Sequence, residues 1–113
     1  MSIEDIILDH DRRGILFLRP HVPHNFCDQA ANLILDNPGV ALIVTGFYIM
    51  AGQATETDGP PGAIAIGEAL QSLGYEVVYV TDRYSTTVLK GISNLETKII
   101  DFPITDDNTS KKF

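Results

Sequence analysis

Residues 39–82 decide the fold of this chain, and they read GVALIVTGFYIMAGQATETDGPPGAIAIGEALQSLGYEVVYVTD. Two short apolar runs rich in β-branched residues, 39–47 and 75–82, are typical of strands buried on both faces of a parallel sheet. Between them, after a loop at 46–57, apolar residues recur at helical spacing from Asp58 to the stop signal at Gly74. This order predicts a β-α-β unit.

The pattern continues on both sides of this unit. Residues 84–93 predict a helix and residues 97–102 a strand, while the segment before the unit predicts a short helix at 3–10 and a second one at 26–36 after Asn25 as N-cap. The intervening residues 11–24 contain Gly14 and two prolines and predict an irregular connection. We therefore expect an α/β protein with a three-layer Rossmann-like fold, in which a partial parallel sheet (β-α-β-α-β) is preceded by one or two helices.

Length and composition predict a single α/β domain that spans 1–113 and ends in a polar tail at 103–113. A chain of 113 residues that is 44% hydrophobic can supply the core of one domain. No apolar run approaches the roughly 18 residues needed to cross a bilayer, so no membrane partner is expected. The N-terminal residues match neither a signal peptide nor a transit peptide, which predicts a cytoplasmic location.

The charge balance argues against a nucleic-acid partner. Eight Lys and Arg residues stand against fifteen Asp and Glu residues, a formal charge of −7, and no basic stripe with interleaved aromatics is present. The single Cys27 suits a packing role in a reducing compartment. His21 and His24 are too isolated to predict a metal site, and we expect neither a metal nor a cofactor.

Polar residues follow both strands of the β-α-β unit. Because ligands in open parallel sheets bind beyond the carboxyl ends of the strands, we expect substrate binding where these ends and the loop after Phe102 converge. The candidate substrate-binding residues are Thr45, Gly46 and Phe47 after the first strand and Asp82 and Arg83 after the second. Two plainer interpretations stay open, namely that Asp82 only caps the next helix and that Arg83 is only a solvated charge.

The segment ETDGPPG, residues 56–62, places Glu56 and Asp58 directly before the long helix, with Thr57 and Gly59 as further substrate-binding candidates. In a structural interpretation Asp58 is an N-cap and the prolines fix the first helical turn. An anion site is disfavoured, since prolines lack N–H donors and the two carboxylates would repel an anion. We prefer a third interpretation, in which the carboxylates accept hydrogen bonds from an ammonium group or exchange protons.

The runs VTGF, ETDGPPGA and LGYEVVYVTD together resemble the D-glutamate cyclase-like family. The resemblance extends loosely over residues 3–102 and covers the N-terminal part of the family domain, so the chain is expected to be a truncated, split or small relative. It implies a lyase of the carbon-oxygen class that converts the amino acid D-glutamate to 5-oxo-D-proline and water. Under this hypothesis Glu56 or Asp58 is the catalytic proton acceptor, Arg83 holds the α-carboxylate, and the N–H of Gly46 or Phe47 stabilises the oxyanion.

An alternative of a different class is a module that binds an amino acid or a nucleotide, or serves as a structural subunit, without catalysis. Under either reading the exposed apolar edges of an incomplete sheet predict a homo-oligomer, or pairing with a missing second half.

Overall fold

The computed structural model describes residues 1–92 and 98–103. The fold separates into two compact units, unit 1 with Met1–Pro38 and unit 2 with Gly39–Phe113. That the whole chain is one domain stays a prediction. The expected polar tail lies, from residue 104 onward, outside the described residues.

Unit 1 contains two α-helices, α1 at Ile3–Ile7 and α2 at Phe26–Leu35, which confirms both predicted helices. A capping box begins α1, since the Ser2 hydroxyl accepts from the Asp5 N–H and the Asp5 carboxylate accepts from the Ser2 N–H. Asn25 lies at the N-cap of α2, but its side-chain oxygen accepts from the Gln29 amide, and no capping bond to the helix is found within the described chain.

The connection at 11–24 is not irregular throughout, because a 3₁₀ helix occupies Ile15–His21. The Asp11 carboxylate accepts from the N–H groups of Arg13 and Leu16, at 2.9 and 2.8 Å, and organises the start of this helix. At its end the Arg19 guanidinium donates to the carbonyls of Pro23 and His24. Because these contacts involve polar groups that are close in the sequence, they produce no apolar periodicity from which the 3₁₀ helix could have been predicted.

Unit 2 is built on a parallel sheet of three strands, which confirms the predicted α/β class with a partial Rossmann-like sheet. The elements are β1 Val40–Val44, β2 Tyr48–Ile49, β3 Ala54–Thr55, α3 Gly59–Ser72, β4 Glu76–Thr81, α4 Arg83–Ile92 and β5 Lys98–Asp101. The order of strands in the sheet is β1-β4-β5, with both pairs parallel. The strands β2 and β3, which follow β1 in the chain, form a short antiparallel hairpin within the predicted loop 46–57.

The core of unit 2 lies between one face of the sheet and the two helices that follow its strands. Both crossovers lead in the same direction, from β1 to β4 to β5, and right-handed crossovers therefore place α3 and α4 on the same face, where they touch each other. Gly67 lets α3 approach the sheet, because the Tyr79 hydroxyl occupies the place that a Cβ would need. The buried core residues are Ala63, Ile64, Leu70, Val77, Tyr79 and Leu89.

The prediction that the first strand is buried on both faces is wrong. In β1 the residues Val40, Leu42 and Val44 are 62, 64 and 78% exposed, whereas Ala41 and Ile43 pack against the core. The reason is topological, since α3 and α4 cover only one face of the sheet. A third layer on the opposite face stays a prediction.

Candidate functional site

A pocket of about 570 Å³ opens at the carboxyl ends of β1 and β4. It brings together four of the predicted substrate-binding residues, Thr45, Gly46, Phe47 and Asp82, with Phe102 from the end of β5. The rest of the lining is mostly apolar and consists of Val44, Tyr48, Met50, Val80 and Thr81. The pocket thus combines apolar walls with one carboxylate, the arrangement expected of a small-molecule site.

Asp82 is buried and uses its two carboxylate oxygens differently. Its Oδ1 accepts from the N–H groups of Tyr84 and Ser85, at 2.8 and 2.9 Å, so Asp82 does cap α4. Its Oδ2 accepts from the Ser85 hydroxyl at 3.1 Å. Capping therefore occupies one oxygen and leaves the other with a single hydroxyl partner among the described residues.

Gly46 lies directly against this second oxygen. Its φ of +135° is one that L side chains rarely adopt. A Cβ at this position would lie 2.5 Å from Asp82 Oδ2 and 2.9 Å from Thr81 Oγ1. Glycine is therefore required here both by the backbone conformation and by the polar atoms that approach it.

Thr81 carries an unsatisfied polar atom at the same place. The residue is 3% exposed, and its hydroxyl has no hydrogen-bond partner in the part of the chain that the structure describes. Buried polar atoms are usually paired, so an unpaired hydroxyl in a pocket wall is an unusual feature of the site.

The hairpin of β2 and β3 contributes Tyr48 and Met50 to the lining of the pocket and packs on the first turn of α4. The Tyr48 ring stacks on the Tyr84 ring with centroids 3.9 Å apart, and Thr55 Oγ1 lies 2.5 Å from Ser85 Oγ. Beyond β3 the Glu56 N–H donates to the Phe47 carbonyl at 2.8 Å and extends the hairpin. Both strands of the hairpin are thus attached to the helix that Asp82 caps.

Arg83 lies beside the site but does not line it. Its guanidinium donates to the Tyr84 hydroxyl at 2.6 Å and lies 4.7 Å from the centroid of the Tyr84 ring. The hydrogen bond to Tyr84 is the main cause that raises the pKa of Arg83 above its usual value.

The remaining predicted site residues, Glu56, Thr57, Asp58 and Gly59, are exposed, and the described lining of the pocket does not include them. Asp58 lies at the N-cap of α3, yet within the described chain its side chain makes no capping hydrogen bond. A Cβ on Gly59 would lie 3.0 Å from Thr45 Oγ1, so the start of α3 approaches the end of β1 closely.

Sequence reasoning missed Thr55 and Ser85, and it located Thr81 at the carboxyl end of a strand but gave it no role in binding. The Ser85 hydroxyl donates to the Asp82 carboxylate, Thr55 lies against Ser85, and Thr81 Oγ1 approaches Gly46 beside Asp82 Oδ2. A signal for Ser85 was present, because a serine three residues after an aspartate at a helix start can share its cap. No local pattern connects Thr55 to Ser85, since the two residues meet only when the hairpin packs on α4.

Among residues 1–92 and 98–103, no group of three or more His, Cys, Asp or Glu side chains is placed to hold a metal ion. Within the same residues no helix combines the length and the apolar character that crossing a bilayer requires. In unit 1, burial raises the pKa of the Cys27 thiol, which disfavours the reactive thiolate.

The fold and the pocket define an α/β protein with a mostly apolar pocket at the carboxyl ends of two parallel strands. Residues 3–112 match the family model described as D-glutamate cyclase-like, C-terminal, and the chain belongs to this family. The matching domain is the C-terminal one, which corrects the expectation that the chain corresponds to the N-terminal part of the family domain. A search of curated proteins found no match.

Proposed function

We propose that unit 2 carries a cyclising site that converts D-glutamate to 5-oxo-D-proline and water. Family membership suggests the reaction. The observation that carries the proposal is the position of Asp82, a buried carboxylate in the wall of an otherwise apolar pocket at the carboxyl ends of β1 and β4. A carboxylate is the group that an amino-acid amine needs, both as a hydrogen-bond acceptor and as a proton acceptor.

The chemistry requires two proton transfers and one new bond. The α-ammonium group loses one proton, its nitrogen attacks the carbon of the side-chain carboxylate, and a C–N bond forms. The nitrogen then loses a second proton, and the C–O bond breaks as the leaving oxygen, which has gained two protons, departs as water. Holding the amine and the carboxyl group together in the pocket favours this ring closure, because it fixes the reacting geometry.

Two assignments of the proton acceptor compete. In the first, Asp82 accepts the amine proton, since it lines the pocket. In the second, which follows from the sequence, Glu56 or Asp58 accepts it after the exposed segment between β3 and α3 moves toward the ligand. The pocket favours Asp82, although catalytic contacts often tighten only when substrate binds.

Other groups near the pocket suit the remaining charges of the substrate. Among the described residues, no backbone carbonyl accepts from the N–H of Gly46 or Phe47, so both donors are free to stabilise an oxyanion. Arg83 could hold a carboxylate in the two-pronged manner of a guanidinium once it leaves Tyr84.

The test is to incubate the full chain with D-glutamate and to measure 5-oxoproline by mass spectrometry. We expect product with the unsubstituted protein, and a loss of about a hundredfold or more in Asp82→Asn, as for removal of a general base. Asp36→Asn changes an exposed carboxylate at the end of α2 and serves as the control with unchanged turnover. If Glu56→Gln or Asp58→Asn abolishes turnover while Asp82→Asn does not, the second assignment is correct.

A second candidate is an amino-acid binding module without catalysis. It is favoured by one observation, namely that the two carboxylates predicted as catalytic are absent from the described lining of the pocket. Tight binding of D-glutamate with no 5-oxoproline after prolonged incubation would support this function and reject the cyclase.

A further inference from the structure

We propose that Thr81 and Asp82 form an ammonium-binding subsite in the pocket, and that Ser85 and Thr55 are the positioning residues that hold the carboxylate for it. The inference deepens the proposed function and rests on it in one respect, that the ligand is an amino acid. It assigns roles to three residues outside the predicted site, Thr55, Thr81 and Ser85.

The Thr81 hydroxyl supplies the first part of the argument. It is buried, lacks a partner among the described residues, and approaches Gly46 at the same place as Asp82 Oδ2. A hydroxyl can both donate and accept, so a ligand with hydrogen-bond donors can satisfy it. The oxygen itself is shielded from solvent, so a polar group of the ligand would pair with it when the pocket wall at Gly46 shifts to admit the ligand.

The Asp82 carboxylate determines the chemical class of that group. An ionised carboxylate only accepts hydrogen bonds and repels anions, whereas an ammonium group only donates and carries the opposite charge. Oδ1 is committed to the N–H groups of α4, so Oδ2 is the oxygen with capacity for a ligand. The burial of Asp82 strengthens such a charge-assisted bond, because the surroundings of its carboxylate have a lower dielectric constant than water.

A directed chain of hydroxyls holds Oδ2 in place. With Asp82 ionised, the Ser85 hydroxyl must donate to Oδ2, and the Thr55 hydroxyl, 2.5 Å from Ser85 Oγ, must then donate to Ser85. If Oδ2 takes up the amine proton, it can donate to Ser85, which then donates to Thr55. The two hydroxyls can therefore accommodate either protonation state of Asp82 without losing a hydrogen bond.

The chain also links the subsite to the hairpin. Ser85 is fully buried on α4, while Thr55 lies on β3. Loss of the Thr55 hydroxyl would leave the orientation of Ser85, and through it that of Oδ2, less well defined. Thr55 and Ser85 thus act on the ligand through Asp82.

Two probes that differ only in the amine test the subsite, D-glutamate and glutarate, the same five-carbon dicarboxylate without an amino group. We expect the protein to bind D-glutamate more tightly than glutarate in calorimetric titrations. Asp82→Asn should lower this preference about tenfold or more, since it removes a charge-assisted bond but keeps a side chain that can cap α4. Thr81→Val should lower it about two- to tenfold, as for one neutral hydrogen bond.

Matched variants separate positioning from simple unfolding. Thr81→Val removes a hydroxyl without a protein partner in the described chain, so the fold should persist, and Thr87→Val makes the same change at an exposed position of α4. Thr55→Val should reduce the preference for D-glutamate, whereas Thr55→Ser, which keeps the hydroxyl, should restore it. A purely structural role of Thr55 would weaken both probes equally and leave their ratio unchanged.

Equal affinity of the unsubstituted protein for the two probes, failure to bind either, or an unchanged ratio in both Asp82→Asn and Thr81→Val would overturn the inference. An amine preference without any 5-oxoproline would reject the cyclase and leave the subsite standing. Formation of 5-oxoproline without a preference for D-glutamate over glutarate would reject the subsite and leave the cyclase standing.

Discussion

Unit 1 and unit 2 differ in the interactions that stabilise each of them internally. In unit 2 apolar side chains from α3, β4 and α4 form a buried core. In residues 1–38 the only buried residue is Glu4, and apolar side chains of the 3₁₀ helix and its neighbours surround a hollow of about 260 Å³. Unit 1 relies instead on hydrogen bonds to carboxylates. Asp5 and Asp11 accept from residues nearby in the sequence, and Glu4 of α1 accepts from the Cys27 N–H of α2.

Because of this difference, we expect acid to destabilise unit 1 and truncation of a buried apolar side chain to destabilise unit 2. Burial of apolar surface is insensitive to pH and is lost when a core side chain is shortened. Hydrogen bonds to carboxylates are lost when acid protonates them. The four tyrosines, Tyr48, Tyr75, Tyr79 and Tyr84, all lie in unit 2 and the chain has no tryptophan, so intrinsic fluorescence reports on that unit alone.

The largest effect is expected from Leu89→Ala in the core of unit 2. Leu89 is fully buried, and its truncation should lower the free energy of unfolding by about 2–5 kcal/mol. Urea unfolding followed by tyrosine fluorescence measures the change. Ile66→Ala, at a position on α3 that is 57% exposed, should cost less than about 0.5 kcal/mol. Equal losses in the two variants would contradict the core described for unit 2.

A smaller effect is expected from Gly67→Ala, which tests the approach of α3 to the sheet. The new Cβ would overlap the Tyr79 hydroxyl and lie 2.7 Å from Tyr79 Cζ, at a cost of roughly 1–3 kcal/mol. In Gly62→Ala, on the same helix, the new Cβ has no described atom within 4 Å. That control should gain about 0.5–1 kcal/mol, because alanine loses less backbone entropy in a helix. A stabilised Gly67→Ala protein would show that Tyr79 does not pack there.

In unit 1, Ser2→Ala should cost about 1 kcal/mol of helix stability, since it removes the side-chain half of the capping box. Amide hydrogen exchange at residues 3–7 is the appropriate measurement, and tyrosine fluorescence should not change. Asn25→Ala is the matched control, because no capping bond from Asn25 to α2 is found within the described chain. If Asn25→Ala reduces the protection of α2 more than Ser2→Ala reduces the protection of α1, then Ser2 is not the more important of the two caps.

The most gradual effect is expected from acid. Backbone hydrogen bonds lower the pKa values of Glu4, Asp5 and Asp11, through the N–H groups of Glu4 itself, Ser2 and Leu16 respectively. Their contribution to stability is therefore complete above the ordinary carboxyl pKa of about 4 and is lost as the pH falls through the lower folded values. NMR titration of the three carboxyl groups tests this, and ordinary pKa values would contradict it.

The sequence predicted the parallel strands and the long helices because their signals are local. The run at 39–47 and the apolar spacing in α3 are strong patterns, and a helix between two such runs is typical of a parallel β-α-β unit. The hairpin was missed because strands as short as Tyr48–Ile49 and Ala54–Thr55 contain no readable alternation. The bare face of β1 was missed because burial on both faces depends on which side later helices occupy.

The candidate site was only partly predictable for the same reason. Thr45, Gly46, Phe47 and Asp82 follow strands, so the rule about carboxyl ends found them. The hydroxyl chain from Thr55 through Ser85 joins residues thirty positions apart and depends on the packing of the hairpin against α4. Glu56 and Asp58 lie beside a helix start, but a position in the sequence does not reveal which way an exposed side chain turns.

One consequence follows from the direction in which the sheet of unit 2 is wound. Open α/β sheets commonly form their ligand crevice where two neighbouring crossovers diverge to opposite faces. The described strands β1, β4 and β5 contain no such divergence, and the hairpin inserted after β1 supplies the missing wall. Under the proposed function, substitutions at Phe47, Tyr48 and Met50, which line the pocket, should alter ligand selectivity with little change to the sheet that supports them.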